Sequence, residues 1–291
     1  MINDTGTGTR ARPLPSPGEL RDLCTSIVSE AARLVARQRA AYVAGGEGIP
    51  RETKSSEVDP VTAVDRAAEQ LIVARLGELR PRDGILGEEG ADKPSLTGVQ
   101  WIVDPIDGTV NFLYGLPAYA ISVAAAVEGV VVAGAVQNVA TGELYSAALG
   151  EGATVFRGGR VTPLQASAET ETARALVATG FSYSSAWRAR QAEILAGVLP
   201  EVRDIRRMGS AALDLCAVAE GRVDAYYEHG THPWDWAAGA IIAAEAGVVV
   251  HHPGVESKGE EGEIVTAGAP GVAATFSELL GVAGALSPLA R

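Results

Sequence analysis

The stretch Trp101-Ile102-Val103-Asp104-Pro105-Ile106-Asp107-Gly108-Thr109-Val110-Asn111-Phe112 constrains this chain more than any other. From Val99 to Val103 it has the apolar, β-branched and aromatic content of a buried strand. Pro105 cannot donate a ladder hydrogen bond, so pairing should stop near Asp104. Pro105 also holds Asp104 extended and turns the chain, which lets Asp107 face the same point, with the Ile106 carbonyl between them as a third oxygen. Gly108 lets a bulky anion approach the backbone. Thr109 adds a hydroxyl and an N–H where a turn or helix could begin, and free N–H groups there favour anions.

Two ionised carboxylates about 4 Å apart repel by roughly 4 kcal/mol at an effective dielectric of about 20, so a convergent pair needs a proton or a cation. Oxygen donors alone suit Mg²⁺, with Mn²⁺ as a substitute, and argue against zinc, which favours His or Cys. The competing reading is structural, because Asp, Pro and Gly are turn residues and a bare D-P-x-D-G could simply cap a turn.

With 291 residues, 47% apolar and 21% charged, the chain has the composition of a soluble globular protein and a length that favours two domains. A net charge of -12 and the lack of Lys and Arg clusters argue against a nucleic-acid surface. Cys24 and Cys216 lie far apart in apolar helical patterns and read as reduced packing residues of a cytoplasmic protein. Residues 1–16, rich in Thr, Gly and Pro, read as a disordered tail without the apolar region of a signal peptide. No membrane span is expected: the apolar run from Ala118 to Val136 is broken by Glu128-Gly129, which reads as a hairpin turn.

Ser16-Pro17-Gly18-Glu19 is a helix start, and Gly45-Gly46 is its stop. A second helix is expected from about Thr62 to Leu79, with Asp65 in its first turn. Gly84-Ile85-Leu86-Gly87-Glu88-Glu89-Gly90 reads as a short strand ending in two acids. Strands at 119–127, 130–138, 144–148 and 154–156 make an antiparallel meander, closing an α+β domain over 17–160. Over 161–291, strands near 175–179, 202–206 and 225–227 alternate with helices near 187–199, 211–219 and 233–246. Strands at 248–251 and 264–267 and a closing helix follow, an α/β pattern. Within it, Gly209-Ser210-Ala211 opens a helix whose first N–H groups could meet a ligand oxygen, Glu228 ends a strand, and Pro233 starts a helix with Asp235 in its first turn. His229, His232 and Asp235 could form a transition-metal site, a reading disfavoured by the break at Pro233. Trp234 and Trp236 read as core.

The full run W-I-V-D-P-I-D-G-T-V-N-F resembles the signature of the inositol monophosphatase family, magnesium-dependent and lithium-sensitive phosphatases of sugars and polyols. The runs K-S-S-E-V-D-P-V-T-A-V-D from Lys54, G-E-E-G from Gly87 and W-D-W-A-A-G from Trp234 also resemble its motifs, in the family's order. The resemblance implies a layered α-β-α-β-α sandwich of the inositol monophosphatase and fructose-1,6-bisphosphatase type, a homodimer, and two or three Mg²⁺ ions. It implies metal ligation by Glu88, Asp104, the Ile106 carbonyl, Asp107 and Asp235, with Lys54 and Asp65 beside the metals. Glu88 and Thr109 would orient an attacking water for direct hydrolysis without a phosphoenzyme. Substrate contacts are expected from Glu88, Ile106, Asp107, Gly108, Thr109 and Asp235, and on the polyol side from Gly209, Ser210, Ala211 and Glu228.

The expected substrate is a myo-inositol monophosphate or related polyol phosphate. Related enzymes of this fold that act on fructose 1,6-bisphosphate, histidinol phosphate or 3'-phosphoadenosine 5'-phosphate are the alternatives within catalysis. A regulatory, protein-binding role is the alternative outside it.

Overall fold

The structure is a computed structural model that describes residues 14–46, 49, 51–53 and 60–290. The expected disordered tail up to position 13, and Lys54, lie outside the described residues.

The first half runs through α1 (Pro17–Gly45), β1 (Arg51–Thr53), β2 (Pro60–Thr62), α2 (Ala63–Leu79), β3 (Gly84–Gly87), β4 (Asp92–Lys93), β5 (Val99–Asp107) and α3 (Thr109–Tyr114). It continues with β6 (Ala120–Val127), β7 (Val130–Asn138), β8 (Leu144–Ala148), β9 (Gly152–Arg157) and β10 (Arg160–Pro163). The second half contains β11 (Leu176–Thr179), α4 (Ser185–Val198), β12 (Asp204–Arg206), α5 (Ala211–Ala219), β13 (Ala225–His229), α6 (Pro233–Glu245), β14 (Val249–His251), β15 (Ile264–Gly268) and α7 (Ala273–Val282).

Local chemistry explains the ends. Ser16 Oγ accepts the Glu19 N–H at 3.2 Å while the Glu19 carboxylate accepts the Ser16 N–H at 2.7 Å, a reciprocal cap for α1. Gly46 closes α1 with φ of +69°, a conformation open to glycine at no steric cost.

The strands form a two-stranded ribbon of β1 and β2, an eight-stranded sheet in the order β10-β9-β8-β7-β6-β5-β3-β4 and a five-stranded sheet in the order β12-β11-β13-β15-β14. The meander from β5 to β10 is antiparallel, whereas β3 pairs parallel to β5. In the second sheet the alternating segments β12, β11 and β13 are parallel, and β15 and β14 join antiparallel. Helices α1 and α2 cover one face of the larger sheet, α5 and α6 fill the space between the two sheets, and α4 and α7 cover the outer face of the smaller one. This is the α-β-α-β-α sandwich that the family resemblance implied. Strand alternation assigns neighbours to different layers: Tyr226 is buried with α5 and α6, and Tyr227 packs outward, its ring 6.2 Å from that of Phe276.

Residues 160–163, to which the sequence assigned no element, form β10 against β9, with Arg160 paired to Arg157 across the turn at Gly158-Gly159. One expectation is corrected. Strand β5 does not end at Asp104, because pairing resumes at Asp107: Asp104 pairs with Ser122 and Asp107 with Ala120, a bulge of one extra residue. Pro105, which has no N–H to contribute, is absorbed in that bulge instead of terminating the strand.

The bulge also decides which way the acids point. Trp101 and Val103 face the α1/α2 layer, and Ile102 faces the middle layer, the side that Asp104 shares with it. Strict alternation would send Ile106 to that same side and Asp107 away from it. Instead Ile106 packs with Trp101 and Val103, so Asp107 returns to the side of Asp104.

Candidate active site

A cavity of about 690 Å³ opens where the C-terminal end of β5, the turn after β3 and the N-termini of α3, α5 and α6 come together. Its wall includes Glu88, Asp104, Ile106, Asp107, Gly108 and Thr109 from the first half. Gly209, Ser210, Ala211, Glu228 and Asp235 come from the second. Of the expected site residues among those described, Asp65 alone does not line the cavity. It stands behind Thr109, whose Oγ1 is 3.0 Å from Asp65 Oδ1.

Each acid is held by groups that its own element supplies or brings near. Asp104 Oδ1 accepts the Ile106 N–H at 2.9 Å across the proline turn. Asp107 Oδ2 accepts from Ser210 Oγ at 2.6 Å and from the Ala212 N–H at 2.8 Å, so the N-terminus of α5 is joined to the bulge of β5. Asp235 Oδ2 accepts the His232 N–H at 2.7 Å in the first turn of α6. Asp65 serves two neighbours: its Oδ2 accepts the Thr62 N–H at 3.0 Å in the cap of α2, and its Oδ1 faces Thr109. The helix-cap and catalytic readings of Asp65 are therefore compatible.

Burial and mutual repulsion raise the proton affinity of the cluster. Asp104 is pushed well above the usual carboxylate range by burial first, then by Glu88, Asp107 and Asp235. Asp235 is raised in the same way, with Asp107 and Glu88 as its charged neighbours. Burial lifts Asp107 to about 6, against the opposing bonds from Ser210 and the α5 backbone. Asp104 and Asp235, each raised by burial and by neighbouring acids, call for a proton or a cation beside them.

Among the described residues, no three His, Cys, Asp or Glu side chains are drawn together as a finished metal cage. One oxygen each of Asp104, Asp107 and Asp235 is committed to N–H or O–H donors. The donor set nevertheless fits a hard divalent ion: carboxylates and the Ile106 carbonyl, all oxygen, in the wall of one cavity. The rings of the alternative transition-metal site are engaged elsewhere. His229 Nε2 is 2.7 Å from the Ala285 carbonyl, and His232 stacks on Trp234 at 4.5 Å and accepts the Gly259 N–H.

In the same cavity, Glu228 accepts the Tyr226 hydroxyl at 2.9 Å. Desolvation raises Glu228 to about 7, while Tyr226 and Arg207 oppose the shift. Sequence reasoning assigned no role to Arg207, the only Lys or Arg among the described lining residues, because nothing local distinguishes it from its neighbours Arg203 and Arg206. Glu69 was missed too. Its carboxylate accepts the N–H groups of Glu89 at 2.9 Å and Ala91 at 3.1 Å, and so holds the turn from which Glu88 projects. An acid one helical turn after Asp65, on the buried side of α2, was the available clue. Trp236 is fully buried as expected, but Trp234 is half-buried and lines the cavity.

Comparison with known proteins gives a consistent result. The model of the inositol monophosphatase family matches residues 21–280. Inositol-1-monophosphatase SuhB of Mycobacterium tuberculosis is 52% identical over 277 residues, covering 90% of this chain and 93% of that protein. Nus factor SuhB of Vibrio cholerae is 37% identical over 262 residues, covering 87% and 94%. The solved structure of Mycobacterium tuberculosis SuhB superposes with a TM-score of 0.80 at 45% identity, covering 94% of this chain and all of that one.

Proposed function

Because this chain belongs to the inositol monophosphatase family, we propose that it is a Mg²⁺-dependent phosphatase that hydrolyses myo-inositol monophosphate and related polyol phosphates. The observation that carries the reading is the placement of Glu88, Asp104, Ile106, Asp107 and Asp235 in one cavity with Thr109 backed by Asp65. These five would hold the divalent ions, with Mn²⁺ as a possible substitute. When bound, such ions supply Lewis acidity for the attacking water and for the leaving oxygen.

The protein's own groups do the rest. Thr109 can direct its proton to Asp65 and offer a lone pair to the attacking water, which fixes the direction of attack. Glu88 lines the same cavity and would accept a hydrogen bond from the same water. The N–H groups of Gly108 and Thr109, which have no partner within α3, meet the phosphate oxygens. Gly108 suits this place because φ of +91° and the carbonyls of Ala118 and Gly209, 2.8 and 3.1 Å from a would-be Cβ, leave no room for a side chain. On the polyol side, Glu228 accepts hydroxyl protons, with Gly209, Ser210 and Ala211 beside it.

The relative named as a Nus factor favours one second reading, a regulatory protein-binding role. Phosphate release from inositol 1-phosphate and a panel of phosphate esters, with and without Mg²⁺, separates the two. Mg²⁺-dependent release supports catalysis; no release from any ester overturns it. The proposal includes a homodimer and a cytoplasmic location. The second rests on two buried free cysteines, and no helix among the described residues is long and apolar enough to cross a membrane.

A further inference from the structure

Strand β11 runs parallel to β13 with Thr179 beside Tyr227, and the Thr179 hydroxyl donates to the Tyr227 carbonyl at 2.8 Å. One residue further on, this register sets Gly180 beside Glu228. Gly180 does not have a positive φ, so its backbone would accept any residue. What excludes a side chain is space. A Cβ at Gly180 would lie 2.1 Å from Cδ, Oε1 and Oε2 of Glu228 alike, far closer than non-bonded atoms can approach. Tyr226, two residues before Glu228 on the same face of β13, fixes that carboxylate from another direction through its hydroxyl.

We propose that the missing side chain at Gly180 is a specificity determinant, the slot in which the Glu228 carboxylate must lie in order to face a polyol. This rests on the reading of Glu228 as the group that meets substrate hydroxyls. The clash falls on the far end of a flexible side chain and not on backbone, so a methyl at position 180 displaces Glu228 instead of breaking the sheet. Gly180 is therefore a positioning residue that acts through Glu228. It also begins the segment Phe181-Ser182-Tyr183 that lines the same cavity.

The test is a double-mutant cycle on the full chain with Mg²⁺ present, using Gly180→Ala, Glu228→Ala and the double variant. The readout is the ratio of kcat/KM for inositol 1-phosphate to kcat/KM for glycerol 2-phosphate, an acyclic ester with fewer hydroxyls. Loss of hydrogen bonds to a charged group should lower the ratio by about tenfold in each single variant. The double variant should be no worse than Glu228→Ala alone. If Glu228→Ala leaves the ratio unchanged, the polyol role of Glu228 fails and the proposal fails with it. If Glu228→Ala lowers the ratio but Gly180→Ala does not, or if the two losses multiply, the slot is overturned while the role of Glu228 stands. Should Gly180→Ala destabilise the protein, the double variant must recover the melting temperature of Glu228→Ala, since the clash is then gone; failure to recover also overturns the slot.

Discussion

Thr109 Oγ1 stands 3.0 Å from Asp65 Oδ1 and 3.0 Å from the Ile106 carbonyl, so two acceptors compete for one hydroxyl proton. A cation held by the Ile106 carbonyl would draw on that oxygen and favour donation to Asp65, leaving a Thr109 lone pair for the attacking water. Thr109→Val should therefore lower kcat by about a hundredfold or more while KM changes little, and Thr109→Ser should retain most activity. Steady-state kinetics of both variants decide the matter. A valine variant with near-normal kcat removes Thr109 from the mechanism.

Asp104 is 1% exposed and is raised in proton affinity by burial and three other acids. Asp104→Asn should abolish turnover and leave the fold intact, because it relieves repulsion in a site that is otherwise unchanged in shape. Binding of Mg²⁺ to the native state should raise the melting temperature of the parent protein, and the asparagine variant should lose most of that rise. Thermal unfolding with and without Mg²⁺ provides the check. An undiminished Mg²⁺ response would show that Asp104 is not a ligand.

Glu69 holds the turn after β3 through two N–H bonds, and a Cβ at Gly87 would meet its Oε2 at 2.3 Å. The acid fills the space that the glycine leaves. Glu69→Ala should leave both N–H groups without this acceptor, cost about 1 to 3 kcal/mol of stability and loosen the segment that carries Glu88. We expect the Mg²⁺ concentration for half-maximal phosphate release to rise. A titration curve that superposes on that of the parent would confine Glu69 to a structural role.

Asp214, in the first turn of α5, is 1% exposed, and neither of its carboxylate oxygens has a hydrogen-bond partner among the described residues. Burial raises its proton affinity well above the ordinary range, with Glu228 and Asp107 adding to the shift and Arg207 opposing it. The sign follows from linkage: the folded state binds this proton more tightly than the unfolded chain. Its contribution to stability is therefore present below the unfolded pKa and is lost as pH rises toward the folded one. Asp214→Asn removes that loss. The variant should gain stability relative to the parent between pH 4 and pH 8, by on the order of 1 kcal/mol, in urea unfolding at the two values. A stability difference independent of pH would show that the carboxyl titrates normally.

The convergence of Asp104 and Asp107 was legible as a local signal, the proline turn between them, whereas Glu88, Asp65 and Asp235 were singled out by the resemblance of their surroundings to family motifs, since an acid after a short strand or in the first turn of a helix is common for structural reasons alone. For Glu69 the sequence offered only its place on the buried side of α2, and for Arg207 nothing that set it apart from Arg206 and Arg203; both acquire meaning from what they touch.

The sequence by itself determined the inventory: the acids, the glycines that allow close approach, the caps that start α1, α2 and α6, and the periodicities that alternate strand with helix. These depend on forces acting over a few residues. Tertiary structure decided who meets whom. Pairing with β6 placed the bulge that returns Asp107 to the side of Asp104, α5 reached back more than a hundred positions to hold Asp107 through Ser210, and the register of β11 on β13 set Gly180 against Glu228. Strand register and helix packing are settled by the whole core at once, and no window of neighbouring residues contains that information.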